Sequence, residues 1–183
     1  MESKGAGTVY RGEWKGDKKR GHGVFMLADG GVYRGQWEGD QRQGHGVFML
    51  ANGGVYRGQW EGDQWQGHGA LRTAKIQVDG EIQQRDHYGN FFEGRKHGRG
   101  VLIWDLGERK HVEHERGNER KSESVKFDDT NSEYTAVLRQ AKDSEEEAQL
   151  AERTAEGAAV RVVPHAQWIV ASPVPLDCSG KGG

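Results

Sequence analysis

The chain has 183 residues, of which 33% are hydrophobic, and its 26 lysine and arginine residues nearly balance 28 aspartate and glutamate residues. This balance excludes the strongly basic surface of a nucleic-acid-binding protein, and the mean hydropathy of −0.92 predicts a thin fold without a deep core. Cys178 is the only cysteine and long apolar runs are absent, so we expect no internal disulfide, no membrane span or signal peptide, and a cytoplasmic location.

The first element along the chain is an internal repeat of 23 residues, and it sets the expectation for the fold. The stretches Gly21–Asp40 and Gly44–Asp63 differ only at Asp29 and Asn52, so both units must have the same structure. The aromatic residues that recur at this period are Tyr10, Tyr33, Tyr56, Trp14, Trp37 and Trp60.

Each unit is predicted to form two short strands joined by tight turns. Strand alternation places Tyr33, Gly35 and Trp37 on one face and leaves Arg34 on the other. We expect a tryptophan ring to lie across the glycines of a neighbouring strand, because a glycine leaves room where a Cβ atom would collide. Asn52-Gly53-Gly54 is a typical tight-turn sequence between strands.

The motif Tyr-x-Gly-x-Trp, followed by Gly-x-Gly, resembles the membrane occupation and recognition nexus (MORN) repeat. A fourth copy is degenerate, with Gly89 and Phe91 at the glycine and tryptophan places of Tyr-x-Gly-x-Trp, followed by Gly98 and Gly100. The three well-matched copies are Tyr10, Gly12, Trp14, Gly21 and Gly23; Tyr33, Gly35, Trp37, Gly44 and Gly46; and Tyr56, Gly58, Trp60, Gly67 and Gly69. The resemblance implies a mainly β fold, an elongated single-layer antiparallel sheet of hairpin repeats over residues 1–107, with three clear repeats and one or two degenerate ones.

An insertion near residues 72–86 interrupts the repeats, and its Asp79-Gly80 pair predicts an extra hairpin. Residues 108–131 are charged and are predicted to be a linker or a last irregular strand. Residues 132–157 are rich in alanine, glutamate and glutamine and predict a helix that ends at Gly157. This helix could pack on the sheet, pair with another chain, or lie in solvent.

The remaining residues, 158–183, are predicted to be a flexible tail that contains all three prolines. Its apolar residues Trp168, Ile169 and Val170 are a candidate docking segment. A disordered tail and a strand that covers the edge of the sheet are the alternatives.

Arg11, Arg34 and Arg57 recur on the face opposite the aromatic residues and are candidates for binding an anion or an acidic partner. A solvated face that is partly paired with nearby glutamates is the alternative. The histidine column (His22, His45 and His68) cannot share a metal ion, because equivalent residues two strands apart lie about 9.6 Å from each other. No catalytic constellation, metal site or cofactor is predicted.

The resemblance to MORN-repeat proteins implies a scaffold near membranes, the cytoskeleton, cilia or flagella. Some proteins of this family associate in pairs. We therefore expect a non-catalytic scaffold that binds cytoskeletal or ciliary proteins, with homodimerisation as a candidate property. The alternative is a peripheral module that binds anionic phospholipid. Nucleic acid is not an expected partner.

Overall fold

The computed structural model describes residues 2–5, 7–78, 81–104, 108–125 and 132–161, which form thirteen strands and one helix. The strands are β1 (Glu2–Gly5), β2 (Thr8–Lys15), β3 (Lys18–Met26), β4 (Val32–Glu38), β5 (Gln41–Met49), β6 (Val55–Glu61), β7 (Gln64–Arg72), β8 (Ile76–Val78), β9 (Glu81–Gln83), β10 (Arg85–Phe92), β11 (Arg95–Trp104), β12 (Arg109–Glu115) and β13 (Asn118–Val125). The helix α1 comprises Ser132–Arg161.

Eleven of these strands form one antiparallel sheet in which strands that follow one another in sequence lie side by side. The order is β1 to β7, then β10 to β13, so the insertion is bypassed and β7 pairs directly with β10. The fold class predicted from the sequence is therefore confirmed.

The turns between consecutive strands form at residues that tolerate a positive φ angle. Gly30 and Gly53 have φ of 91° and 86°, and the side chain of Asp29 or Asn52 accepts a hydrogen bond from the amide two residues later. At the other end of the hairpins, Asp40 has a φ of 75°, which aspartate tolerates better than most residues.

Hydrogen bonds also connect each turn to the hairpin before it. Asp40 donates its amide to the carbonyl of Lys19 at 3.2 Å and accepts the Lys19 amide on Oδ1 at 2.9 Å. Asp63 and Arg42 make the same pair of bonds one repeat later. The repeats are therefore joined at their turns as well as along their strands.

The insertion forms its own two-stranded sheet, β8 paired with β9, and its Asp79-Gly80 tip lies outside the described residues. Residues 109–125, for which the sequence predicts a linker or a last irregular strand, form two paired strands and thus a fifth hairpin. The proline-containing tail from residue 162 onward lies outside the described residues, with Trp168, Ile169 and Val170.

Helix α1 crosses one face of the sheet and contacts β2 to β7, β10, β11 and β12. It continues through Gly157 to Arg161, beyond the end that the sequence predicts. A helical glycine costs only about 1 kcal/mol relative to alanine, and Ala159, which follows it, is buried against Val24 of the sheet. Within the described part of the chain, no helix is long and apolar enough to span a bilayer.

Candidate functional site

The two faces of the sheet have different chemistry. The face that we call the aromatic face is formed by Tyr10, Tyr33, Tyr56, Trp37, Trp60 and Phe91, all buried. The face that we call the arginine face carries Arg11, Arg34, Arg57, Val24, Val47 and Ala70, with arginines paired across strands to the small apolar residues.

On the aromatic face, the tyrosine rings cover the glycines. A Cβ atom on Gly46 would lie 2.5 Å from the Tyr33 hydroxyl and 2.6 Å from its ring. One on Gly35 would lie 2.6 Å from the Cα atom of Gly46. The atoms closest to these glycines therefore belong to the tyrosine of the same hairpin and to the backbone, and not to the tryptophan that the sequence predicts there.

The tryptophans instead connect neighbouring repeats. The Trp37 indole donates to the carbonyl of Gly23 at 3.3 Å, and its ring meets Tyr10 edge to face at 5.3 Å. Trp60 makes the same contacts with Gly46 and Tyr33. Tyr10 and Tyr33 thus pack against the tryptophan of the next repeat, and Tyr56 packs in the same way against Phe91, which gives the face its continuous core.

The tyrosine hydroxyls act as structural donors. Tyr33 donates to the carbonyl of Gln36 at 2.9 Å, and Tyr10 and Tyr56 make equivalent bonds. Burial raises the pKa of Tyr33 and of Tyr56 far above the ordinary value. These hydroxyls therefore remain protonated and keep their donor role at physiological pH.

On the arginine face, the predicted anion-binding column lies under α1. Arg34 is 3.1 Å from Glu156 and 3.9 Å from Glu152, and Arg57 is 3.9 Å from Glu145. Arg11 is half-buried on β2. Two of its three arginines, Arg34 and Arg57, therefore contact carboxylates of this same chain.

Burial is the main cause that raises the pKa of Glu145 and Glu152, while the arginines beside them oppose that rise. The ion pairs at the helix are therefore partly desolvated, although Glu156 remains 55% exposed.

The histidine column lies beside the arginines. His45 Nε2 is 3.0 Å from Glu147 of α1, whereas the backbone carbonyl of His68 accepts a hydrogen bond from the Ser144 hydroxyl at 2.8 Å. His22 lies 3.7 Å from Glu13 of its own hairpin. Across the described ranges, no group of three or more histidine, cysteine and acidic residues is placed to hold a metal ion.

The side of α1 that meets the sheet consists almost entirely of small residues. They are Ala141, Ser144, Ala148, Ala151, Ala155 and Ala159, all buried. At the first turns of the helix, Tyr134 stacks on His111 of β12 with ring centroids 3.8 Å apart. The sequence indicates an apolar stripe on this helix at Tyr134 and Ala141. Composition alone does not show whether that stripe packs on the sheet, packs on a partner protein or faces solvent.

A buried histidine pair, which the sequence analysis does not single out, continues the aromatic face. His87 occupies the tyrosine place of the fourth hairpin and His114 the tryptophan place of the fifth, with ring centroids 5.0 Å apart. Neither nitrogen of His87 has a hydrogen-bond partner among the described residues. Strand register could have identified both positions.

The comparison with protein families decides the assignment. The MORN-repeat model matches residues 10–32, 33–55, 56–74 and 87–105. The chain is a MORN-repeat protein. The four matched MORN repeats correspond to the first four hairpins of the main sheet, and β12 and β13 add a fifth hairpin beyond them. A search of curated proteins finds no match. MORN repeats are a non-enzymatic type of repeat that binds protein or lipid.

Proposed function

We propose that this MORN-repeat protein is a non-catalytic scaffold that binds other proteins through its arginine face. The observation that supports the proposal is the position of α1, a charged helix held across that face of the sheet. The face provides arginines for carboxylates and buried valine and alanine side chains for apolar contact, the two components of a helix-binding surface.

The repeated geometry suits a scaffold. Arg34 and Arg57 are carried by equivalent positions on β4 and β6, and both meet glutamates of α1. A surface built from equivalent units can contact an extended partner at several points, so its affinity comes from many weak contacts.

We further propose, from the family resemblance, that the scaffold is associated with the cytoskeleton, with cilia or flagella as the place to look first. Cells that express the tagged full chain are extracted with non-ionic detergent. We expect the chain to remain in the insoluble skeleton. Release of the chain at low and physiological salt would contradict stable cytoskeletal attachment.

Anionic phospholipid is the second candidate, and the clustering of Arg11, Arg34 and Arg57 on one face supports it. Replacing all three with glutamine should abolish sedimentation with phosphatidylserine vesicles if this face binds lipid. The matched control replaces three arginines at exposed positions outside this column, Arg20, Arg95 and Arg116. Equal loss in both variants would indicate a general charge effect and would contradict a lipid site on this face.

A further inference from the structure

Helix α1 and the repeat sheet have matching periods. Seven helical residues advance about 10.5 Å along a helix, and two strands advance about 9.6 Å across a sheet. On α1, the buried residues Ala141, Ala148 and Ala155 are seven positions apart, and so are Ser144 and Ala151. One heptad of the helix therefore corresponds to one hairpin of the sheet.

The charged contacts follow the same rule. Glu145 and Glu152 are seven residues apart, and they meet Arg57 and Arg34, which are one 23-residue repeat apart. The helix runs against the strand order, since its first turns contact β12 and its last turns contact β3. The contacts in chain order are Tyr134 with His111, Ser144 with His68, Glu147 with His45, and Ala155 with Val24.

We propose that the arginine face is a receptor for an acidic helix of a partner protein, with a small residue and a glutamate repeated every seven positions, and that α1 is its built-in competitor. This proposal rests on the proposed use of the arginine face for protein binding. Small residues are required because they let the helix approach the buried Val24 and Val47. The glutamate spacing then selects helices whose charges coincide with successive repeats.

The composition of α1 makes it replaceable. Alanine and serine bury little apolar area compared with leucine or phenylalanine. The ion pair between Arg34 and Glu156 is partly exposed, with Glu156 at 55%, so water and salt weaken it. A partner helix with the same spacing and additional contacts outside the face could therefore displace α1.

The test uses the full chain with a weakened α1. The release variant is Glu145→Gln with Glu152→Gln, and the matched control is Asp143→Asn with Glu146→Gln, two exposed positions with the same change in charge. The probe is a fluorescent peptide of residues 132–161. We expect the release variant to bind the probe at least tenfold more tightly than the control, by fluorescence anisotropy.

Two further variants examine the specificity of the site. Arg34→Gln with Arg57→Gln, added to the release variant, should remove probe binding. A probe in which Glu145 and Glu152 are glutamine should bind at least tenfold more weakly than the unchanged probe. Equal binding of both probes would overturn the proposed charge register.

Hydrogen exchange of α1 amides shows whether the helix has left the sheet. If the glutamine changes do not release it, Ala148→Trp provides a second route, since a buried alanine position has no room for an indole. A released α1 without probe binding would overturn the receptor. An α1 that stays protected in both variants would overturn its role as a competitor.

Other occupants of the arginine face would give different results in these experiments. A release variant that dimerises in analytical ultracentrifugation would replace the partner with a second copy of this chain. Binding to phosphatidylserine vesicles without binding to the probe would replace it with a membrane. Probe binding by a chain that detergent releases from cells would contradict the cytoskeletal scaffold and leave the acidic-helix receptor intact.

Discussion

The first three hairpins and the last two share one sheet but differ in their core. In the first three, each tyrosine packs against glycines and against the aromatic residue at the tryptophan place of the next hairpin, which is Phe91 after the third. In the last two, His87 and His114 take these places, and Val112 stands where the earlier repeats have glycine. Strand register therefore persists after the aromatic pattern has been lost.

This difference separates two contributions to the fold. Backbone pairing and turn geometry specify the sheet, because β10 to β13 pair in order without the tyrosine and tryptophan pattern. The aromatic contacts add stability where they occur. We therefore expect the first three hairpins to be the more stable part of the protein, and four measurements can test this comparison.

Trp37→Ala is expected to have the largest effect. The indole is 5% exposed and joins two repeats, so its loss should lower the free energy of unfolding by about 3–5 kcal/mol. His114→Ala, the equivalent change in the fifth hairpin, should cost only about 1 kcal/mol. Urea denaturation measures both, and equal losses would remove the proposed distinction between the two regions.

Gly35→Ala tests the space beneath the tyrosine ring. The added methyl would lie 2.6 Å from the Cα atom of Gly46 and 2.7 Å from the carbonyl oxygen of His45, and these backbone atoms cannot move aside easily. We expect a loss of about 1–3 kcal/mol in thermal or urea unfolding. Gly157→Ala, where nothing lies within 4 Å, is the control and should be stabilising. A neutral Gly35→Ala would contradict the packing argument.

His87 should make the second region sensitive to acid. Burial, followed by nearby Lys96 and His114, lowers its pKa well below the ordinary value. Burial and Lys96 also lower the pKa of His114, and Glu119 opposes this shift. Lys96 itself has a lowered pKa because of burial and of Arg85 beside it.

The direction in which stability changes with pH follows from proton binding. Below about pH 6.5 the unfolded chain protonates His87 while the folded chain does not, so stability is complete above this pH and falls as the pH decreases. For each histidine that stays neutral in the folded chain, the free energy of unfolding falls by about 1.4 kcal/mol per pH unit. This fall continues until the pH reaches the pKa of that histidine in the folded chain. His87→Tyr should flatten this dependence in urea titrations at pH 5 to 7. His97→Tyr is the control, because it makes the same change at an exposed histidine of the same hairpin.

Tyr33→Phe should have the smallest effect of the four. It keeps the ring over Gly46 but removes the hydrogen bond to the Gln36 carbonyl, which contributes about 0.5–1.5 kcal/mol. A loss as large as that of Trp37→Ala would mean that the hydroxyl, and not ring packing, dominates the first region. Urea denaturation at pH 7 measures this change.

Much of the fold could be predicted because the repeat signals are local. The 23-residue period, the Asn52-Gly53 turn and the alternation around Gly35 each specify neighbouring backbone, and they led to the correct sheet. The fifth hairpin was harder to recognise because Lys110 and His114 replace the aromatic pair and only pairing with β11 reveals their equivalence.

The site could be predicted only in part. Strand alternation identified Arg34 and Arg57 as one surface. It could not show that α1 covers them, because an alanine stripe fits a sheet, another helix or solvent. Strand alternation also could not show that tyrosine lies closest to the glycines, because it places tyrosine and tryptophan on the same face.

The matched periods of helix and sheet also constrain how such a protein can change size. Duplication of one 23-residue unit would lengthen the sheet by two strands, and Glu145 and Glu152 would then no longer face arginines in the same order unless α1 gained seven residues. Insertions and deletions in the two regions are therefore coupled. The number of repeats and the length of the helix should change together during evolution, in steps of one hairpin and one heptad.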